Sequence, residues 1–453
     1  MKKYDVVIIG GGPAGIITGV TGKKQNPGKS FLMIKENEKE LVPCGIPYVF
    51  HDLKDISQNA MGPKPFVDAG GELLIDAVRK IDIKNKTLST ERGIDFQFDK
   101  LVFATGSVPV IATFIKGYDL EGVEYILKKY KYIEDLKNKT DIAENIVVIG
   151  GGFIGVEIAE QLAKYPDKKV TLVEMEKYCL YNAFSTDVAA RADGVIRDTK
   201  INLFTNRKVT QIVGENNHVK AVLLDDGKEI KADMVITSIG YKPNTGLARE
   251  SGLELDDNKA IIVDRYMRTK LKDIFAVGDC SSAIGFITGR SNSVMLASTA
   301  TAEARVLGYN LFTIDLLRNF QGILAVFSTE INNIAFASAG AIEKTARDAG
   351  ISFIVGKFED VDRHPGTLPD ASKLMIKLIV SPKNGAIIGG EICGGKSTGE
   401  LINTIALAIQ KRVTVYELIS FQIGTHPLLT TAPTKYVLIK AAEMAIQNIK
   451  KGI

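Results

Sequence analysis

Val6-Val7-Ile8-Ile9-Gly10-Gly11-Gly12-Pro13-Ala14-Gly15 is the stretch that decides the fold. Four β-branched residues read as a buried strand, and the glycines read as a G-x-G-x-x-G turn opening a helix. Each glycine has a physical job. Gly10 permits the sharp turn, Gly12 lets a pyrophosphate approach the backbone, and Gly15 allows close strand–helix packing. Pro13 suits the first helical turn, where a missing N–H leaves nothing unpaired. Ala14 keeps that turn small. The helix start then offers free N–H groups and a positive dipole end to phosphate.

One such turn is a weak signal, but this one recurs. Ile146-Val147-Val148-Ile149-Gly150-Gly151-Gly152-Phe153-Ile154-Gly155-Val156-Glu157 repeats strand, turn and helix start. The two copies also end alike. Leu101-Val102-Phe103-Ala104-Thr105-Gly106 closes the first, with Gly106 falling 96 residues after Gly10. Met234-Val235-Ile236-Thr237-Ser238-Ile239-Gly240 closes the second, with Gly240 falling 90 residues after Gly150. Matching starts, ends and lengths mark a repeat of whole domains. The expected fold class is α/β: two Rossmann-like doubly wound dinucleotide-binding domains, each with its ligand at the carboxyl ends of the strands.

A third glycine turn, Ile274-Phe275-Ala276-Val277-Gly278-Asp279, leads to an alanine-rich helix from about Val294 to Tyr309. These pieces are too short for a domain and complete the first unit, with the second inserted into it. Farther on, strand runs such as Leu374–Val380 mix with helices such as Ser397–Gln410. That change of character marks a C-terminal α+β domain. The expected boundaries are 1–115 with 250–320, then 116–249, then 321–453.

In such units an acid at the end of the second strand reads the ribose. Val170-Thr171-Leu172-Val173-Glu174 puts Glu174 there, 19 residues beyond Gly155. A carboxylate accepts from ribose hydroxyls and repels a 2′-phosphate, so NADH is expected over NADPH. In the first unit Phe31-Leu32-Met33-Ile34 is followed by Lys35 and Glu36. Spacing leaves open which of the two meets the ribose.

The bulk numbers exclude several classes. The chain has 453 residues, 45% of them hydrophobic, and a net charge of only +4. That charge carries no nucleic-acid footprint. No apolar run reaches the roughly 18 residues of a membrane helix. Met1-Lys2-Lys3-Tyr4-Asp5 runs straight into the first strand, which leaves no room for a signal peptide. Four cysteines are too few for a disulfide scaffold, and a reducing cytoplasm is the expected location.

Cys44 stands alone in Val42-Pro43-Cys44-Gly45-Ile46-Pro47-Tyr48. No cysteine lies near it in sequence, so a neighbouring dithiol is excluded. Pro43, Gly45 and Pro47 argue against a strand interior. They point to a helix start, where the dipole favours thiolate. A redox role is therefore expected, against the alternative of an inert core thiol. Cys179, Cys280 and Cys393 read as structural, and no His/Cys spacing resembles a metal site. Among His51, His218, His364 and His426, only His426 invites an acid/base role, and a packing role serves it equally.

Together these stretches resemble the flavin-dependent pyridine nucleotide–disulfide oxidoreductases over essentially the whole chain. The resemblance rests on Gly10–Gly15, Ala104-Thr105-Gly106, Gly150–Glu157 and Gly278-Asp279. The single Cys44 narrows it to the branch of coenzyme A-disulfide reductases, NAD(P)H sulfur or persulfide reductases, and NADH oxidases and peroxidases. The resemblance implies FAD on Gly10, Gly12, Pro13, Ala14 and Gly15, with the backbone of Val78 meeting the adenine. It implies that Ala104, Thr105 and Gly106 line the same cofactor, that Asp279 accepts from its ribityl and pyrophosphate region, and that Leu296-Ala297-Ser298 starts a helix near the isoalloxazine. NADH falls on Gly150, Gly152, Ile154, Gly155 and Glu174, with Gly240 closing its site. Phe153 gates the nicotinamide face, and Glu157 stands beside the flavin.

The implied activity passes electrons from NADH through FAD and Cys44 to a disulfide, persulfide or polysulfide. One alternative is an NADH oxidase or peroxidase cycling Cys44 through sulfenic acid. Another is a flavoprotein redox sensor with little turnover. The implied partners are a small-molecule sulfur or oxygen acceptor and a second copy of the chain, as a homodimer. Coenzyme A-disulfide reductases usually carry tyrosines in the C-terminal domain. The matching stretches here read His364-Pro365-Gly366-Thr367 and Gln422-Ile423-Gly424-Thr425-His426-Pro427.

Overall fold

Strand β1 (Lys2–Ile9) buries Val6 through Ile9 at the centre of the first sheet. Its β-branched residues suit a strand covered on both faces. In the computed structural model, which describes residues 1–316 and 319–452, helix α1 (Pro13–Gln25) follows directly. Residues 317, 318 and 453 fall within the ranges expected for the first and third domains and lie outside the described residues. Strand β2 (Phe31–Lys35) then pairs parallel with β1, in the register Ile9 to Ile34. On its other side β1 pairs parallel with Asp95–Phe103. Strand Ile274–Ala276, far along the chain, pairs parallel with Asp95–Phe103 and completes a seven-stranded sheet. Between β2 and that sheet's outer strands lies the two-residue strand β3 (Glu40–Leu41), paired only with Ala60–Met61.

The second unit repeats the pattern. Strand β4 (Asn145–Ile149) leads into helix α2 (Phe153–Ala163), and strand β5 (Lys169–Val173) pairs parallel with β4. Helix α3 (Thr186–Arg197) and strand Asn202–Phe204 follow. The five strands of this sheet are all parallel. Helix α4 (Ala297–Asn310), a little later than the expected start, packs against α1 on the first unit.

The last domain is an antiparallel sheet of five strands, from Phe327–Ile331 to Ile387–Gly394. Helices α5 (Thr398–Gln410) and α6 (Val437–Lys451) cover it. The chain is thus α/β, with two Rossmann-like units and a C-terminal α+β domain, as the repeat and the change of pattern indicate. No helix among the described residues is long and apolar enough to cross a membrane.

One core cluster crosses these boundaries. Leu41, Ile46, Val49, Phe50 and Ile56 precede the second unit by some distance in sequence, yet they pack with Ile133, Ile158, Ala159 and Leu162. Ile331, Phe336 and Met375 of the last domain join the same cluster.

Candidate functional site

The two glycine turns are built alike. Gly10 has φ +113° and Gly150 has φ +107°, a region that side chains rarely adopt. A Cβ at Gly10 would lie 2.1 Å from the Ala104 carbonyl oxygen, and one at Gly150 would lie 2.4 Å from that of Ser238. A Cβ at Gly15 or Gly155 would strike the carbonyl of the first glycine in its own turn. By contrast, a Cβ at Gly12 or Gly152 would meet nothing within 4 Å. Each of these two glycines caps a helix start with open space beside it, as a bound phosphate requires.

At the end of β5, Glu174 is buried, and its carboxylate accepts from Gly151 N at 2.5 Å and Glu176 N at 2.7 Å. At the end of β2, Lys35 is buried instead. Its ammonium donates to Glu38 O at 3.2 Å and lies 3.5 Å from Glu40 Oε1. Glu36 is exposed and lies 3.4 Å from Lys129 Nζ.

Asp279 sits at the carboxyl end of the first sheet. Its Oδ2 accepts from Ser107 Oγ at 2.6 Å and from Lys128 Nζ at 3.2 Å. Lys128 also donates to Ser107 Oγ at 2.8 Å and lies 4.6 Å from the Tyr241 ring centre. Behind this turn Glu303 of α4 accepts from Gly278 N at 2.8 Å and Ser281 Oγ at 3.2 Å. Burial pushes the Glu303 carboxyl up to about 8. Leu296, the cap of α4, lines one cavity with Gly278, Asp279 and Glu303, and Ala297 and Ser298 begin the helix there. Thr105 Oγ1 donates to Asn244 O at 2.6 Å, which ties the Ala104–Gly106 turn to the strand after Gly240. Val78 opens an outer strand of the first sheet.

The surroundings of Cys44 depart from a helix start. Pro43–Gly45 and Pro47–Phe50 are two separate 3-10 turns of three and four residues. Neither is long enough to align a useful dipole. The Cys44 side chain reaches solvent, yet protein crowds it and pushes the thiol up. After burial, the Glu157 carboxylate is the next cause; Lys128 opposes it and Asp279 adds to it. The thiol thus senses Glu157 of α2, Asp279, and the Lys128 ammonium paired with Asp279.

Glu157 is crowded as well, and burial pushes it up to about 7, although Thr329 Oγ1 of the last domain donates to its Oε1 at 2.8 Å. Burial, then Glu157, Glu160, Glu330 and Asp52, push the Tyr48 hydroxyl up. Phe153, at the first position of α2, stacks edge-on against Phe327 with centroids 5.0 Å apart. Ile154 follows it and is half-buried.

Other candidates lie apart. His426 takes part in a surface loop, where its Nδ1 accepts from Leu428 N, and His364 N donates to Pro427 O. His51 bonds Asp52 and stacks on Tyr165. Cys179 and Cys280 are buried and Cys393 is half-buried. Among the described residues, no group of three or more His, Cys, Asp or Glu is placed to hold a metal ion. Sequence reasoning missed Lys128, Ser107, Glu303 and Thr329. Ser107 had a cue in following Gly106, but Thr329 meets Glu157 across 172 residues and had none.

Two dinucleotide cradles flanking one lone thiol define a class, the oxidoreductases that couple a nicotinamide and a flavin to sulfur or oxygen chemistry. The pattern of the pyridine nucleotide-disulphide oxidoreductases matches residues 4–304, and that of their dimerisation domain matches residues 326–437. The chain belongs to this family. It is 30% identical to an NADH oxidase of Methanocaldococcus jannaschii over 458 residues, covering 98% of this chain and 99% of the relative. It is 30% identical to an NAD(P)H coenzyme A polysulfide/persulfide reductase of Pyrococcus horikoshii, covering 87% of this chain and 88% of the relative. An NAD-dependent persulfide reductase from A. fulgidus superposes with a TM-score of 0.90 at 28% identity, covering 99% of this chain and 84% of that one. The chain therefore falls in the single-cysteine branch and is an FAD- and NAD-dependent oxidoreductase. The first unit fits FAD, since Gly12 leaves open the place a pyrophosphate needs and Asp279 and Ser107 stand at the sheet's carboxyl end.

Proposed function

We propose that this enzyme reduces a sulfur–sulfur bond in a disulfide, persulfide or polysulfide at the expense of NADH, through FAD and Cys44. The observation that carries the reading is the placement of Cys44, an unpaired thiol electrostatically linked to both Glu157 on the nicotinamide-side helix and Asp279 on the flavin side. Its relatives with sulfur-reductase names support the substrate class.

In this reading residues 1–115 and 250–320 hold FAD, 116–249 hold NADH, and 321–453 dimerise. Gly10, Gly12 and Gly15 hold the FAD pyrophosphate, Glu36 meets its ribose, Val78 its adenine and Asp279 its ribityl chain. Lys35 is left out because its ammonium is turned inward to Glu40. Glu174, with Glu176 close behind, accepts from the NADH ribose and repels a 2′-phosphate. FAD held there would supply the two-electron redox chemistry between nicotinamide and sulfur.

The protein's own residues do the rest. Phe153 covers the nicotinamide face, and Lys128 offsets the carboxylates around Cys44. The Cys44 thiolate attacks the outer sulfur of the substrate, a new S–S bond forms at Cys44, and the old bond breaks with its electron pair leaving on the departing thiolate. Two electrons from NADH then restore the Cys44 thiolate and release the second sulfur product. Glu157, poised near 7, supplies or takes the accompanying proton. Exposed Leu407, Ile419, Phe421, Leu428 and Leu429 support a homodimer through the C-terminal domain. Four unpaired cysteines suit a reducing cytoplasm.

The test is anaerobic NADH turnover of FAD-loaded protein with polysulfide, coenzyme A disulfide and coenzyme A persulfide in turn. Turnover with at least one of them, lost in Cys44→Ser with FAD retained, is the expected result. The second reading, an NADH oxidase or peroxidase, is favoured by the M. jannaschii relative, which aligns along 98% of this chain. Turnover only when oxygen or peroxide is admitted would select it.

A further inference from the structure

The segment that carries Cys44 belongs to the first unit by sequence, but its contacts belong elsewhere. Leu41, Ile46, Val49, Phe50 and Ile56 pack with residues of α2 and the second sheet, and none of them lies in the two clusters beneath the first sheet. Its base is closed by a hairpin of two-residue strands, Glu40–Leu41 with Ala60–Met61, and joined to the first unit by Lys35, 3.5 Å from Glu40, and by Met61 against the core beneath the first sheet.

A polar clasp fastens the same segment to the far end of α2. Asp52 N donates to Gln161 Oε1 at 3.0 Å, and Gln161 Nε2 donates to Asp52 Oδ2 at 2.9 Å. Lys164 Nζ, one residue past α2, donates to both Asp52 oxygens, at 2.9 and 2.8 Å. His51 Nδ1 adds a contact at 2.9 Å to Oδ1, and its ring stacks on Tyr165. Gln161 is 1% exposed, so both ends of a buried amide are committed to Asp52. A buried amide left unpaired costs about 1–3 kcal/mol, which makes the clasp more than an incidental surface contact.

Helix α2 therefore carries three features in sequence. Its first turn, at Gly152 and Phe153, faces the dinucleotide. Its middle presents Glu157 to Cys44. Its last turn grips Asp52. The helix has 11 residues, about 16 Å of stiff rod at ~1.5 Å per residue.

We propose that Asp52, gripped by Gln161 and Lys164, is a positioning residue that fixes the Cys44 turn to the nicotinamide-binding helix, so that dinucleotide bound at the start of α2 sets the reactivity of the Cys44 thiol. This rests on the reading of Gly150–Gly155 as the NADH site and Cys44 as the redox thiol. The clasp holds the Cys44 turn against the far end of α2, and coupling between dinucleotide and thiol runs through that one helix. By linkage, modification of Cys44 changes dinucleotide affinity in return.

The test measures alkylation of Cys44 by iodoacetamide in FAD-loaded protein, followed by mass spectrometry of its peptide, with and without saturating NAD+. In the wild type, NAD+ changes the rate by at least about fivefold, the lower range of ordinary site coupling. In Asp52→Ala that ratio falls toward one while FAD content and NAD+ affinity hold. Asp52→Asn, which keeps the backbone bond and loses the Lys164 ion pair, falls between. Lys164→Met, on a partly exposed helix end, serves as the second variant if Asp52→Ala fails to fold, and it also lowers the ratio. A wild-type ratio of one, or variants that keep the wild-type ratio, overturns the proposal. Turnover of Cys44→Ser judges the redox reading separately, because that outcome does not depend on the clasp.

Discussion

The two dinucleotide units share a backbone and differ at the residue that matters most. Gly10 N donates to Ile34 O at 2.9 Å, and Gly150 N donates to Val173 O at 2.9 Å. This identical register makes Lys35 the counterpart of Glu174. In the second unit the carboxylate reaches under the turn to Gly151 N. In the first, the methylenes of Lys35 fill that place, since a Cβ at Gly11 would lie 2.5 Å from Lys35 Cδ. The Lys35 ammonium points onward to Glu40, the first residue of β3, which leads to Cys44. One position thus sets a carboxylate beneath the glycine turn in one unit and anchors a loop in the other. A glycine turn specifies where phosphate goes, whereas the strand-end residue decides what else the unit can do.

The largest effect expected is from making the second unit copy the first. Glu174→Lys removes the acceptor for the ribose hydroxyls and for Gly151 N. A charged hydrogen bond of this kind is worth about 2 kcal/mol, so kcat/KM for NADH should fall about 30-fold. The value for NADPH should fall much less. Steady-state kinetics with both nucleotides checks this, and unchanged NADH kinetics would break the equivalence of the two positions.

Next comes the anchor in the first unit. Burial pushes the Glu40 carboxyl up, and Lys35 is the main influence restraining that rise. Lys35→Met leaves a buried acid without its cation, a loss of about 3 kcal/mol. The pH sense follows from the raised carboxyl. A group held above its unfolded pKa contributes stability at low pH and loses it as pH rises through the folded value. The Lys35→Met defect should therefore be small near pH 5 and grow toward pH 8, as measured by urea unfolding. Lys35→Met/Glu40→Gln should recover most of the loss. A defect that is equal at both pH values would show that Lys35 matters for packing and not for its charge.

The same comparison shows what a sequence can disclose. Both glycine turns, both strand ends and the change to an α+β pattern were legible, because local backbone geometry demands particular residue types. The place of Glu174, just after β5 and beside the glycine turn, was legible from spacing alone. The inward turn of Lys35 was not, since it depends on where a flexible ammonium finds its partner, and Glu40 gives no local sign of that role. The helix start expected at Cys44 is instead a pair of proline-opened 3-10 turns, and the thiol is pushed up by burial and Glu157. Prolines and glycine correctly indicated a break from strand, but they could not show which charges would converge there. Lys128 was hidden among 57 basic residues, most of which read as solvated surface.

The smallest effect concerns another pair of counterparts. Glu157 lies seven residues after Gly150, and Ile17 lies seven residues after Gly10. The first unit keeps an apolar residue there, and the second places a carboxyl beside the thiol. Burial pushes Glu157 up to about 7, so it is neutral below that pH and charged above it. Its charged form disfavours the Cys44 thiolate. Glu157→Gln keeps the shape and removes the charge. Cys44 alkylation in the variant should match the wild type below pH 6 and run about twofold faster at pH 8, where a partly screened nearby charge is worth a fraction of a kcal/mol. The effect is modest because Lys128 already offsets part of the negative field. If the two proteins differ equally at pH 6 and pH 8, the carboxyl acts on the thiol through structure and not through its charge. The position would then serve the second unit as Ile17 serves the first.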